Sequence, residues 1–580
     1  MPNRPYLNMS ADDTIAMYKP HVSGSEGAVS ANNPYAAQAG LEILNKGGNA
    51  FDAAAAVSLV LGVVEPYHSG IGGGCFQVFY DSSQDKVGSV DARGTAPKNA
   101  FQDMFLDQNG EVDLNLTEFS GRSVAVPAFY RAMDQLLKNH GTMTWAEVSA
   151  PAIRLCREGF FCGFSYARIS NTPEAEHNSR EYQGFRGLYL NNGKPRQFGE
   201  LIYNEELAAV MEAVAEYGVD WFYKGPVAEE IVSQVNRYHG VLEKEDLENC
   251  CVKEREPVRG NYRGYEVISM PPPSSGGSHL IQMLNILENF DLNAMGFHSA
   301  SSVHVMAETM KLMFADRSVA MGDPDFVQIN LKKILSKEYA KELAGKISMD
   351  KAGEYAPSEG IEAREYRGCT SNFTVMDKKG NVIAQTQTIR NWWGCGVVVP
   401  GRGFIMNNTM ADFSAKAGVR TTQGLAYGMA NAVRPGKTPL SSMSPTLVMQ
   451  DGKPVMAVGA AGGPRIITST LQLIVNTIDY GMMMDSAVKT PHMCCLTREQ
   501  GLELEAGFSP DTIAILKGKG HTIKETGDFG VLLVMPNGIL KKEGLFFPGG
   551  TSRVDGGGGV LTGSGSVCID GLCFIPKPQN

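Results

Sequence analysis

The stretch that begins at Thr370 has the clearest potential for covalent chemistry in this sequence. Two alternating polar and apolar runs, residues 370–377 and 381–388, flank a Lys-Lys-Gly turn and predict a β-hairpin. If the peptide bond between Cys369 and Thr370 breaks, the threonine hydroxyl becomes a nucleophile and its own freed amine becomes the base. An α-amine titrates near ~8, so much of it is available as a base around neutral pH. Judged alone, a threonine at this place is usually an ordinary strand residue.

Three other segments offer polar groups that could act on a substrate. Gly462 and Gly463 lie between a predicted strand and a predicted helix, where unpaired N–H groups suit an oxyanion or a carboxylate. Ser441 and Ser442 place two hydroxyls before a strand, and residues 407–413 form a polar loop after one. Each segment taken singly is more simply interpreted as a turn, a cap or a solvated loop.

Motifs of other active-site classes are missing from the sequence. There is no G-x-S-x-G, H-E-x-x-H or G-x-G-x-x-G motif, and the near-match to a phosphate loop at residues 436–438 has Asn431 in place of its first glycine. The ten histidines are scattered, with no pair placed as ligands on one helical face. We therefore expect no cofactor, no metal and no bound nucleotide.

The composition is ordinary for a large globular protein. Of the 580 residues, 43% are hydrophobic and 20% are charged, and the net charge of −10 without a dense Lys/Arg run argues against a nucleic-acid partner. The best apolar run, residues 53–64, is too short to span a bilayer, and residues 1–20 lack the apolar core of a secretory signal. Eleven cysteines without a disulfide framework or zinc spacing indicate a reducing compartment, so we expect a cytoplasmic protein.

Periodicity and Gly/Pro punctuation predict the elements that must position these groups. The predicted strands are residues 28–31, 75–80, 86–91, 403–406, 446–449 and 455–458, and the clearest helices are residues 34–44, 51–64 and 465–478. Residues 126–343 are mostly helical in pattern. The charged stretch at residues 346–365 is expected to be an exposed connector, which suits a segment that becomes a free chain end.

Taken together, these pieces resemble the γ-glutamyltransferase family of N-terminal-nucleophile hydrolases over nearly the whole chain. The matching segments occur in the family's order: Asp-Ala-Arg at 91–93, M-P-P-P-S-S-G-G at 270–277, T-S-N-F-T-V-M-D at 370–377, P-L-S-S-M-S-P at 439–445 and the glycine pair at 462–463. The resemblance implies an α+β fold, a four-layer αββα sandwich. It also implies self-cleavage before Thr370 into residues 1–369 and 370–580, two chains that together form one domain.

The resemblance further implies how the amide bond is broken. Thr370 would attack a γ-glutamyl-type amide and form an acyl-enzyme that water or an amine resolves. Thr388 stands where the family has the hydroxyl that supports the nucleophile. Gly462 and Gly463 would supply the N–H groups of an oxyanion hole, each such donor typically being worth ~3 kcal/mol of barrier.

The substrate pocket implied by the resemblance is only partly retained. Arg93, Ser441 and Ser442 would hold the α-carboxylate of a small-molecule substrate, and Asp412 its α-ammonium. The family's asparagine and its Gln or Glu that also contact this ammonium are replaced in the present sequence, as are the aromatic residue of the lid loop and two residues of the signature; the replacements are Arg390, Thr409, Gln423, Ser371 and Asn372.

Arg390 departs most from the family pattern, because it brings a permanent positive charge to a pocket that should receive an ammonium. We expect Arg390 to pair with Asp412 or to bind a second carboxylate. Trp392 and Trp393 follow it and could wall the pocket, although buried anchoring is the commoner role. The altered pocket affects the expected substrate more than the expected reaction.

Three hypotheses about function follow. The leading one is a hydrolase or acyltransferase that acts on γ-glutamyl amides such as glutathione. Its close rival is an amidohydrolase for a carboxylate-bearing acyl group without a free α-amine. A third, of another class, is a pseudoenzyme that only binds a small acid, which a failure to self-cleave would favour.

Self-cleavage gives the first testable prediction. The purified protein should give two chains on a denaturing gel, and intact mass should place the start of the smaller chain at Thr370. Thr370→Ala removes the hydroxyl nucleophile, so it should stay one chain and be inactive. A wild-type preparation that stays uncleaved yet hydrolyses substrate would contradict the N-terminal-nucleophile mechanism.

Overall fold

Two antiparallel β-sheets lie at the centre of the structure, a computed structural model that describes residues 22–355, 370–416, 428–526, 534–563, 565–569 and 572–574. The nine-stranded sheet has the order β22-β21-β20-β1-β9-β10-β2-β3-β6, and the six-stranded sheet has the order β19-β18-β14-β13-β8-β7. The strands are β1 Gly27–Ala31, β2 Gly74–Asp81, β3 Lys86–Ala92, β4 Phe160–Phe161, β5 Leu201–Ile202, β6 Lys253–Arg255, β7 Val258–Tyr262, β8 Tyr265–Ser269, β9 Ser371–Asp377, β10 Val382–Thr388, β11 Val398–Val399, β12 Phe404–Ile405, β13 Thr446–Gln450, β14 Lys453–Ala461, β15 Met493–Cys495, β16 Leu502–Leu504, β17 Ile523–Glu525, β18 Met535–Lys542, β19 Leu545–Gly549, β20 Gly557–Leu561, β21 Val567–Ile569 and β22 Leu572–Phe574.

Helices cover the outer faces of both sheets. They are α1 Pro34–Asn45, α2 Ala50–Val64, α3 Leu114–Glu118, α4 Phe129–His140, α5 Trp145–Glu158, α6 Phe164–Ile169, α7 Pro173–Glu181, α8 Gln183–Tyr189, α9 Glu205–Tyr217, α10 Asp220–Lys224, α11 Pro226–Arg237, α12 Lys244–Glu248, α13 Gly276–Leu287, α14 Leu292–Met295, α15 Ala300–Ala320, α16 Leu331–Ile334, α17 Lys337–Ala344, α18 Arg465–Ile478, α19 Met484–Lys489 and α20 Pro510–Gly518. Short 3₁₀ turns occur at Gly121–Ser123, Thr409–Asp412 and Met429–Asn431.

Side-chain alternation along the strands separates the layers. On β1, Val29 packs into the core beneath α1 and α2, whereas Ala28 packs into the core that contains the six-stranded sheet. On β9, Val375 and Met376 divide in the same way. Successive side chains of a strand point to opposite faces, so each central strand contacts a helical layer on one side and the other sheet on the other. The expected four-layer αββα sandwich is confirmed.

The strands that precede residue 370 are interleaved with those that follow it. In the nine-stranded sheet, β1 pairs with β9 on one side and with β20 on the other, and β10 pairs with β2. In the six-stranded sheet, β13 pairs with β8. Cleavage before Thr370 would therefore leave two chains joined by shared sheets. The proposed division at residue 370 itself stays a prediction.

The helices at the start of the fold begin where the sequence predicts. Asn33 and Asn49 accept hydrogen bonds from the first N–H groups of α1 and α2, and Asn49 forms a capping box with Asp52. All residues of α2 are buried, as its apolar circumference indicates. The predicted strand at residues 403–406 is shorter in the structure, where only Phe404–Ile405 forms a ladder.

Close packing between the sheets gives a stability prediction at Gly459. A Cβ atom on Gly459 of β14 would collide with the buried side chain of Asn372 on β9. Gly459→Ala should therefore lower the free energy of unfolding by about 1–3 kcal/mol, measured by denaturant unfolding.

Gly187 provides a matched control, because a Cβ atom there would meet nothing within 4 Å and the residue lies inside α8. Gly187→Ala should be neutral or stabilising, since alanine favours the helix. Equal effects of the two substitutions would contradict the packing argument.

Candidate active site

Thr370 and Thr388 are brought together by the register of the central hairpin. Ser371 pairs with Gln387, so Thr370 lies opposite Thr388 at the open end of the ladder. The Thr370 hydroxyl donates to Oγ1 of Thr388 at 3.4 Å, and the backbone N–H of Arg390 donates to the same oxygen at 2.8 Å. The candidate nucleophile thus contacts a hydroxyl that the following loop holds in place.

The opposite face of the same strand is fixed by a buried carboxylate. Ser371 donates to Oε2 of Glu65 at 2.8 Å and contacts the Ser69 hydroxyl at 3.2 Å. Glu65 directly follows α2 and also lies 3.3 Å from Nδ1 of His68. Ser371, the residue after the candidate nucleophile, is therefore held by Glu65 and Ser69, a contact that no local motif indicated.

Gly462 and Gly463 form the turn between β14 and α18. Their φ angles of 126° and 59° lie in the left-handed region, which favours glycine. Both residues are buried, and neither backbone N–H has an acceptor in the described part of the chain. Gly459 on the same strand lies against Asn372, two residues beyond Thr370. Two unsatisfied donors at this end of β14 are what an oxyanion hole requires.

Arg465, the next motif residue after this turn, is engaged elsewhere. Its guanidinium contacts both carboxylate oxygens of Glu503, at 2.8 and 2.7 Å. Such a bidentate pair is rigid and directional. We therefore assign Arg465 to holding the start of α18 against β16.

Asp412 is held between two guanidinium groups. Arg390 donates from Nε to Oδ1 at 2.7 Å, and Arg93 donates from Nη2 to Oδ2. Asp412 ends the 3₁₀ turn Thr409–Asp412, and its residue is only 5% exposed. The carboxylate that the resemblance assigns to an α-ammonium thus already faces two permanent positive charges.

A second carboxylate completes this ion network. Glu118, the last residue of α3, accepts from Nη1 of Arg390 at 2.6 Å and from Nδ2 of Asn408 at 3.2 Å. Burial alone would lower the pKa of Arg390, but Glu118 and Asp412 outweigh it and raise that pKa above its ordinary value. Among the described residues of this network, two arginines and two acids balance in charge. Nothing in the sequence near Glu118 marked it as part of the site.

The serine pair lies on a framework made by the segment at residues 270–277. Ser274 donates to the Met443 carbonyl at 2.6 Å, and Ser275 donates to the Ser441 carbonyl at 2.7 Å. Arg93 Nε donates to the carbonyl of Pro439, just before the pair, at 2.9 Å. The structure therefore brings Arg93, Asp412 and the serine segment together, as the resemblance implies.

The remaining predicted residues have simpler positions. Thr409 is buried beside Asp412, and its N–H donates to Asn407 Oδ1 at 3.0 Å. Trp393 is fully buried and packs its ring 5.1–5.7 Å from four other aromatic rings, those of Tyr67, Tyr166, Phe185 and Tyr189. It therefore anchors the loop and does not wall the pocket. Cys369 and Gln423 lie outside the described residues.

One buried cluster offers groups of the kind that bind metals. His304, Glu308 and His521 place three ligand-type atoms within 4.8 Å of one another. Lys311 Nζ already lies 2.8 Å from Oε1 of Glu308, and burial lowers the pKa of both histidines, to about 3 for His521. Glu308 also accepts from the Tyr355 hydroxyl at 2.8 Å. We interpret the cluster as a structural anchor for the start of the expected connector at residues 346–365, whose residues from 356 onwards lie outside the described chain.

The state of one cysteine and the length of the helices bear on where the protein resides. Cys568 of β21 is disulfide-bonded, which the cysteine spacing did not predict. Within the ranges that the structure describes, no helix is long and apolar enough to span a membrane. The cytoplasmic location stays a prediction.

Comparisons with known proteins bear on the family and the fold of this chain. The family model "Gamma-glutamyltranspeptidase" matches residues 36–538. The glutathione hydrolase proenzyme of Escherichia coli K12 is 40% identical over 530 residues, which cover 90% of each chain. Acylase ACY 1 proenzyme of Pseudomonas sp. SE83 is 35% identical over 557 residues, covering 94% of this chain and 96% of the relative. The crystal structure of cephalosporin acylase from Bacillus halodurans superposes with a TM-score of 0.82 at 26% identity, covering 96% of this chain and 98% of the other.

The charge balance around Arg390 leads to a stability prediction. Glu118→Gln removes one of the two carboxylates and leaves a buried positive charge uncompensated, so the free energy of unfolding should fall by about 3–5 kcal/mol. Adding Arg390→Asn should restore part of this loss. Denaturant unfolding of the single and double variants measures both effects.

A surface pair serves as the control. Arg154 contacts Glu42 at 2.6 Å near the surface, and Glu42→Gln should cost no more than about 1 kcal/mol. Similar losses for Glu118→Gln and Glu42→Gln would show that the buried network is not balanced as described.

Proposed function

This chain belongs to the γ-glutamyltranspeptidase family, and we propose that it is a self-processing threonine amidohydrolase for acidic acyl groups that lack a free α-amine. The family is one of N-terminal-nucleophile enzymes, so the binding-only hypothesis gives way to catalysis. A glutaryl-type amide has the required chemistry, with one carbonyl to attack and a carboxylate at the far end.

The occupation of Asp412 is the observation that carries this proposal. An ammonium placed beside Asp412 would also lie near Arg390 and Arg93. Two like charges 4 Å apart repel by about 4 kcal/mol at an effective dielectric near 20. Arg390 therefore fills the amino pocket with the protein's own cation, and an acyl group without an amine avoids the repulsion.

The proposed reaction uses the hairpin and the glycine turn. The Thr370 oxygen adds to the amide carbonyl while the free α-amine of Thr370 takes the hydroxyl proton. The N–H groups of Gly462 and Gly463 stabilise the resulting oxyanion. The α-amine passes its proton to the leaving amine, the C–N bond breaks, and an ester on Thr370 remains. Water, deprotonated by the same amine, then releases the acid.

The γ-glutamyl hypothesis remains the second candidate because the rest of its pocket is present. Arg93, Asp412, Ser441 and Ser442 all stand at the positions that the family pattern requires. The E. coli relative is named for glutathione hydrolysis, and the Pseudomonas relative is named an acylase. Substrate preference at Arg390 separates the two candidates.

Steady-state hydrolysis of glutaryl-anilide and γ-glutamyl-anilide tests the proposal. Wild type should favour the glutaryl compound by at least about tenfold in kcat/KM, which corresponds to ~1.4 kcal/mol. Arg390→Asn frees Oδ1 of Asp412, while Oδ2 still accepts from Arg93, and it restores the family's side chain, so it should shift the preference towards γ-glutamyl. The backbone favours this change, because Arg390 has a φ of 82°, which asparagine tolerates better.

Two further variants make the result interpretable. Arg390→Asn combined with Glu118→Gln removes the cation and its acid together, which guards against misfolding. Arg154→Asn changes a surface arginine and should leave the preference unchanged. A wild type that prefers γ-glutamyl-anilide, with no effect of Arg390→Asn, would establish the second candidate.

A further inference from the structure

A buried arginine outside the expected site contacts one of the two serines. Arg317 lies near the end of α15 and is 1% exposed. Its Nη2 donates to the Ser442 hydroxyl oxygen at 3.1 Å, and its Nε donates to the Ser275 hydroxyl oxygen at 2.8 Å. No motif of the sequence included it.

The direction of these hydrogen bonds fixes what the serine hydroxyls can do. A guanidinium only donates, so Ser275 must use its own hydrogen elsewhere, and it donates to the Ser441 carbonyl at 2.7 Å. The Ser442 hydroxyl oxygen likewise accepts from Arg317, but the Ser442 hydroxyl hydrogen has no acceptor among the described residues. By donating to its oxygen, Arg317 orients the Ser442 hydroxyl so that its hydrogen can be donated to another group.

The Ser441 hydroxyl is oriented in the same way, by a backbone N–H group. Its hydroxyl oxygen accepts from the N–H of Met443 at 3.1 Å, and its hydrogen also lacks an acceptor within the described ranges. Both serine residues are under 10% exposed, at 3% and 8%. Buried donors without acceptors are unfavourable, so two of them side by side favour a ligand that offers two acceptor oxygens. A carboxylate has that shape and charge.

We propose that Arg317 is a positioning residue that makes the Ser441–Ser442 hydroxyls a donor pair and so determines selectivity for acyl groups ending in a carboxylate. This inference rests on the proposed function, because it concerns the far carboxylate of the same acyl group. Arg317 acts through Ser442 and through its positive charge and does not itself contact the substrate.

The test compares two anilides of equal chain length. Glutaryl-anilide ends in a carboxylate, and pentanoyl-anilide ends in a methyl group. The readout is the ratio of their kcat/KM values. Arg317→Met removes both donors and the charge, so the ratio should fall at least about tenfold, mainly through a higher KM for the glutaryl compound.

Further variants separate positioning from folding. Arg317→Lys keeps the charge but lacks the planar guanidinium that contacts Ser275 and Ser442 together, so it should give an intermediate ratio. Ser442→Ala should lower the ratio, and adding Arg317→Met to it should cost less than Arg317→Met costs alone. Arg402→Met, which alters an arginine paired with Glu230, should leave the ratio as in wild type. If Arg317→Met does not fold, the kcat/KM ratios of Arg317→Lys and Ser442→Ala test the positioning role of Arg317.

The outcomes distinguish failure of the proposed function from failure of the role assigned to Arg317. A wild type that hydrolyses both anilides equally would remove the proposed function itself. A wild type that prefers glutaryl-anilide while the Arg317 variants keep that preference would overturn only the inference about Arg317. Equal losses for both anilides in the Arg317 variants would also overturn it, because they would show a purely structural role.

Discussion

The buried ion network around Asp412 constrains the rest of the site. The four members that lie in the described ranges come from distant parts of the chain: Arg93 follows β3, Glu118 ends α3, Arg390 follows β10, and Asp412 ends a 3₁₀ turn. Each charge taken out of water is costly unless it is paired, so the loss of one member destabilises the partners that it leaves unpaired. The network therefore fixes the relative positions of these segments as well as the charge of the pocket.

The reacting end of the site depends on a different kind of constraint. Thr370 and Thr388 face each other because the hairpin register places them opposite one another, and the glycine turn follows from the left-handed backbone after β14. Both are properties of backbone geometry. Side-chain substitutions elsewhere in the pocket can alter the substrate without disturbing these positions.

This difference also explains how much could be predicted from the sequence. The hairpin, the capped helices and the glycine turn have local signals, namely alternation, Asn caps and paired glycines, and they lie where expected. Glu118 and Arg317 had no such signal. Their partners Arg390 and Ser442 are more than a hundred residues away in sequence, and only the folded chain brings them together. The contact between Arg390 and Asp412 was predictable, because the family pattern placed the two at one pocket and their charges are opposite.

Arg390 contacts both the Thr370–Thr388 pair and the ion network, the first through its backbone and the second through its side chain. Its backbone N–H holds the Thr388 hydroxyl that contacts Thr370, whereas its side chain neutralises Asp412 and Glu118. Any residue except proline supplies the same N–H. The side chain at this position can therefore change the local charge while the contacts between the Arg390 N–H, Thr388 and Thr370 are retained. The positive φ of 82° has a cost for an arginine, and the two ion pairs that hold the side chain offset it. Under the proposed function, a single position thus allows one catalytic framework to accept either an amino-bearing or an amino-free acyl group.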